Sequence, residues 1–178
     1  MIAAWAMIVG GILRGAGEVL EILAGHHTGP SGACAGLALV FVAIGFAGLW
    51  PEARISRAGR AAVVLVGAGA LAFTAVAIWS IGQGVLPLAD IVRTPGFMVA
   101  AAIALAGALA LAAWLIATPA YPRWIGIVMS VSIGLSLVSS FVAFPAPVQP
   151  LIDMVMALTF IQLGLSMRER RKFGTSLP

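Results

Sequence analysis

The stretch FMVAAAIALAGALALAAWLIAT, Phe97 to Thr118, carries no charged residue. A helix rises about 1.5 Å per residue, so about 20 mainly apolar residues are needed to cross the hydrocarbon core of a bilayer. Inside that core every backbone polar group must be satisfied within the segment itself, and a helix does this. The stretch reads as a transmembrane helix. Five further segments read the same way: about Ile2 to Ala24, Ala33 to Trp50, Ala61 to Gln83, Trp124 to Phe144 and Val148 to Met167. Turn-forming residues separate them, including Gly29-Pro30-Ser31-Gly32, Pro51, Pro87, Pro95, Pro119, Pro122 and the run from Pro145 to Pro150.

Composition agrees with this reading. The 178 residues are 62% hydrophobic and 9% charged, with a mean hydropathy of +1.11. A water-soluble domain carries roughly a quarter charged residues and cannot hide so much apolar side chain. The net charge of +4 does not point to nucleic acid, because the basic residues border apolar spans rather than forming a solvated face among aromatics. The first charge, Arg14, follows the opening apolar run instead of preceding it, so a cleaved secretory leader is not expected.

Direction follows from the basic residues. Arg54, Arg57 and Arg60 lie between the second and third spans, Arg123 lies between the fourth and fifth, and Arg168, Arg170, Arg171 and Lys172 follow the sixth. With six spans, these eight of the ten basic residues share one face, which the positive-inside rule makes cytoplasmic. Trp50, Tyr121 and Trp124 fall at the same boundary, where amphipathic rings are favoured. The expected fold is therefore an all-α integral membrane bundle of about six transmembrane helices, with both termini cytoplasmic. It divides into a transmembrane domain over residues 1–167 and a short basic cytoplasmic tail over 168–178. A bacterial-type inner membrane is the expected location.

Odd-numbered spans begin about 60 residues apart, which suggests three tandem helical hairpins. Leu49-Trp50-Pro51 followed by Arg57 and Arg60 corresponds to Trp114 to Pro119 followed by Pro122-Arg123. In this hydropathy outline the chain resembles the small bacterial six-helix membrane proteins built from repeated hairpins, a group that includes acid-resistance membrane proteins. The resemblance implies architecture only, since no motif transfers an activity or a site.

Helices in lipid associate through small residues and interhelical hydrogen bonds. Gly11 and Gly15 form a GxxxG pair on the first span, and Ala100, Ala104, Ala108 and Ala112 line one stripe of the fourth. On the fifth span Ser132, Ser136 and Ser140 form a stripe, as do Gly126, Ser130 and Gly134. A serine stripe serves either as a polar path or as packing with each hydroxyl bonded one turn back, and packing is the expected role.

The most informative polar feature is Arg14, Glu18 and Glu21, at i, i+4 and i+7 on one face of the first span. Ionised groups facing lipid cost at least about 2.5 kcal/mol, so this face is expected to look into the bundle, with Arg14 and Glu18 paired. Glu21 then needs another partner. It shares its side of the membrane with His26, His27, Asp90 and Asp153, and the candidate pocket for a solute or ion comprises Arg14, Glu18, Glu21, His26, His27, Asp90 and Asp153. The alternative is a first span ending near Glu18, with Glu21 interfacial, His26 and His27 in a solvated turn, and Asp153 serving a helix N-terminus.

Other chemistry finds little support. Two adjacent histidines do not suit axial haem ligation. His26 and His27 with Glu21 lack a recognisable zinc spacing, which leaves metal and cofactor unassigned. Cys34 is the single cysteine. The Gly-x-Gly pairs at Gly15 and Gly67 sit inside apolar helices, not in phosphate loops. The expectation is a non-catalytic accessory or assembly component, in a homo-oligomer or with other membrane subunits and with the lipid bilayer as its surroundings. The alternatives are a small transporter or solute-binding subunit using the charged pocket, and an intramembrane lipid-modifying enzyme.

Overall fold

The computed structural model describes residues 1–26, 28–82, 95–139, 142, 145 and 147–173. All regular structure among them is helical: α1 (Ile2–Ala24), α2 (Gly29–Ala47), a single turn α3 (Trp50–Ala53), α4 (Arg57–Gly82), α5 (Pro95–Ala117), α6 (Arg123–Ser139) and α7 (Val148–Phe173). Three of these are long and apolar enough to cross a membrane, over Gly29–Ala47, Met98–Ala117 and Val148–Arg171. The last helix continues through the basic residues to Phe173.

Local chemistry explains the boundaries. Gly25 ends α1 in the left-handed conformation, φ 69°, which its missing Cβ permits. Gly29 to Gly32, expected as a turn, instead opens α2. Thr28 and Ser31 form a capping box, with the Ser31 N–H donating to Thr28 Oγ1 at 3.2 Å and the Thr28 N–H to Ser31 Oγ at 2.9 Å. Pro30 then falls in the first turn, where its absent N–H costs nothing. Pro51, Pro95 and Pro150 likewise lie in the first turns of α3, α5 and α7.

The six long helices close into a ring. α1 packs against α2 on one side and α7 on the other, α2 touches α4, α4 packs on α5, α5 on α6, and α6 on α7. Small residues set the closest approaches. A Cβ on Gly11 would sit 2.7 Å from the Ala157 carbonyl oxygen of α7, whereas one on Gly15 would meet nothing nearer than 3.7 Å. Of that GxxxG pair only Gly11 is required for the contact. Gly69 of α4 similarly receives Ala104 of the α5 alanine stripe. Two serine hydroxyls of α6 bond back along their own helix: Ser130 donates to the Gly126 carbonyl at 2.9 Å and Ser139 to the Ser136 carbonyl at 2.7 Å.

One end of the ring gathers the basic residues. Arg170 donates to the Ala120 carbonyl between α5 and α6, and Arg171 reaches the Gly48 carbonyl after α2 at 3.3 Å. The Arg168 guanidinium lies 4.8 Å from the centre of the Trp5 ring of α1. The last turns of α7 thus touch three other parts of the bundle at that end. Trp50 and Trp124 are exposed there, and Tyr121 is not. It is buried edge-on against Trp114 under Arg170.

The close-packed core lies in the same half. Met7 of α1, Phe46 of α2, Val63 of α4, Leu111 and Leu115 of α5, Ile125 and Met129 of α6, and Leu163 and Met167 of α7 form one buried cluster. Each comes from the part of its helix nearest the basic end. Beyond this core the six long helices line an open cavity.

Candidate functional site

Arg14 stands near the middle of α1, past the close-packed core, and its guanidinium bridges two carboxylates. Its Nε lies 3.0 Å from Glu18 Oε1 one turn further along α1. Its Nη2 lies 3.0 Å from Asp153 Oδ2 on α7. Gln149, one turn before Asp153, donates from Nε2 to the same carboxylate oxygen at 3.3 Å. Glu18 is buried, while the Arg14 and Asp153 side chains keep 32% and 20% of their surface exposed.

The antiparallel packing of α1 on α7 produces this arrangement. Gly11 meets Ala157, and Gly164 meets Ala4 and Ile8, so Arg14 comes opposite Asp153. The two side chains are thereby paired with each other and line the interior of the ring. Asp153 acts as a cross-helix ion partner rather than only serving the N-terminus of α7.

Arg14 and Asp153 also line a cavity of about 530 Å³ within the ring. Its remaining wall is almost wholly apolar, drawn from α2 (Ala38, Leu39), α4 (Ala70), α5 (Ala101, Ala104, Leu105) and α7 (Met156), with Ser136 of α6 adding a hydroxyl. Phe46, Val66 and Met129 belong both to the cavity wall and to the close-packed core, and so form its floor. A cavity of a few hundred Å³ with apolar walls and a few convergent polar groups is the usual form of a small-molecule site.

The structure brings together Arg14, Glu18 and Asp153 of the candidate residues. Glu21 lies half-buried nearer the end of α1 and does not line the cavity. His26 is exposed, its Nδ1 2.9 Å from the Ala24 carbonyl oxygen. His27 and Asp90 lie outside the described residues. Among the described residues no three His, Cys, Asp or Glu side chains converge as a metal site. Gln149, one turn before Asp153 on α7, and Ser136 of α6 join the site. The signal for Ser136 in the sequence was the serine stripe.

No protein-family model, curated protein or solved structure matches the chain. Its function is therefore read from the chemistry of the bundle itself.

Proposed function

We propose that the chain is a multi-pass protein of a bacterial-type inner membrane that takes a small molecule into the centre of its helix ring, as a small transporter or solute-binding subunit. In this reading the six long helices cross the bilayer. The termini and the basic end face the cytoplasm, as the positive-inside rule favours for eight of ten basic residues. The cavity lies in the outer half.

One observation carries the reading: a cavity of about 530 Å³ with an Arg14–Asp153 ion pair on an otherwise apolar wall. Packing alone gives little reason to keep such a volume, since helix interiors close to the density of organic crystals. The accessory-subunit reading has no comparable support. Exposed side chains such as Val64, Leu71 and Leu158 are what contact with lipid requires. The lipid-modifying enzyme reading is weakened because the Glu18 and Asp153 carboxylates are both engaged by Arg14.

Thiol labelling tests the reading. In a Cys34→Ser background, Ala101→Cys puts the only thiol on the cavity wall. A small water-soluble methanethiosulfonate reagent added outside right-side-out vesicles should label it. Failure to label from either face, with the protein folded, would describe a dry closed bundle and remove the proposal.

A further inference from the structure

The charged side chains on the cavity wall among the described residues are one of each sign, and they are bonded to each other. Arg14 Nη2 lies 3.0 Å from Asp153 Oδ2, and both residues line the cavity. Each side chain keeps part of its surface exposed, 32% for Arg14 and 20% for Asp153. The pair therefore presents guanidinium N–H donors and a carboxylate acceptor side by side, with no net charge between them. Apart from the Ser136 hydroxyl, the rest of that wall is apolar.

We propose, on the footing of the cavity reading above, that the molecule taken up is an uncharged amphiphile, a bulky hydrocarbon body carrying a hydroxyl group. The body fills the space between α2, α4 and α5, where burial removes apolar surface from water. The hydroxyl lies at the Arg14–Asp153 pair, accepting from the guanidinium and donating to the carboxylate. A hydroxyl does both, whereas a carboxylate only accepts and an ammonium only donates. Either ion would bring a net charge between apolar walls, and would have to compete with Asp153 or Arg14 for a partner already held at 3.0 Å. A zwitterion carries no net charge, but two ionic groups must then shed their water where the wall offers only Arg14, Asp153 and Ser136 as polar side chains.

The test places four polar groups on one hydrocarbon cage: adamantanemethanol, adamantanecarboxylate, adamantylmethylammonium and the zwitterion adamantylglycine, all at neutral pH. Binding to the purified full-length protein is measured by equilibrium dialysis against matched detergent, with the cavity-filling variant Ala101→Phe as the background for micelle uptake. Adamantanemethanol should bind one site that Ala101→Phe abolishes, and bind it about tenfold tighter than the other three, the factor expected for a hydrogen bond to a charged group. In Arg14→Gln, which leaves the Asp153 charge alone on the wall, the preference should pass to adamantylmethylammonium. Equal or tighter binding of an ionic analogue by the unmodified protein overturns the inference but leaves the cavity reading in place. So does a folded Arg14→Gln protein that still prefers the alcohol, and so does absence of binding by all four when Ala101→Cys still labels. Absence of both binding and labelling overturns both. If Arg14→Gln fails to fold, the comparison of the four compounds on the unmodified protein still decides.

Discussion

Arg14 of α1 and Asp153 of α7 join the first and last long helices of the ring through a 3.0 Å ion pair. The same guanidinium holds Glu18 at 3.0 Å, so removing Arg14 takes this counter-charge from both carboxylates, whereas removing either carboxylate leaves Arg14 paired with the other. Partial exposure of Arg14 moderates the penalty, because solvent screens part of the interaction.

Asp153→Asn is expected to lower stability by about 1.5–3 kcal/mol, the range for hydrogen bonds to charged groups. Thermal unfolding in detergent followed by circular dichroism checks this. In a double-mutant cycle with Arg14→Gln the two losses should be less than additive. Full additivity would mean that the pair contributes no coupling.

Gly11 and Gly15 make a matched pair for testing the α1–α7 interface. Gly11→Ala would push a methyl group to 2.7 Å from the Ala157 carbonyl oxygen, and should cost about 1–3 kcal/mol through overpacking. Gly15→Ala has room, with its nearest neighbour at 3.7 Å, and should be neutral or stabilising by up to about 1 kcal/mol from helix propensity. Equal effects would show that the two helices do not meet in this register.

Tyr121, in the α5–α6 connection, gives a pH prediction. Burial raises its pKa above the ordinary 10.0, and the charge of Glu52 raises it further, against a smaller lowering by Arg170 and Arg171. Between pH 10 and the raised native value the unfolded chain loses its phenolic proton while the folded one keeps it. Stability from this group is therefore complete below pH 10 and declines as the pH rises above it. Tyrosinate absorbance reports on Tyr121 alone, since the chain has one tyrosine. It should appear late in the native protein, and Tyr121→Phe should remove this part of the alkaline decline. Ionisation at the ordinary value in the folded protein would contradict the buried placement.

Local features were the legible ones. The limits of α1 follow from its apolar run and the glycine after it, and the Arg14–Glu18 pair follows from i, i+4 spacing on one helix. The Gly29-Pro30 pair misleads as a turn because proline suits a helix's first turn as well as a loop, and only the Thr28–Ser31 capping box decides between them. The Arg14–Asp153 pair was not legible. It depends on α1 lying beside α7 in one register, and a chain this rich in Ala and Gly offers many faces of nearly equal quality. The cavity was hidden for the same reason: the alanine stripe of α5 reads as an interface, yet Ala104 both packs on Gly69 and lines open space.

Single-cysteine labelling in intact right-side-out vesicles tests the proposed path of the chain through the bilayer most directly. In the Cys34→Ser background, His26→Cys should react with an impermeant thiol reagent from outside. Ser56→Cys and Glu169→Cys should react only after the vesicles are opened. Reaction of Ser56→Cys and His26→Cys from the same face would contradict a membrane-crossing α2 and, with it, the outward-facing cavity.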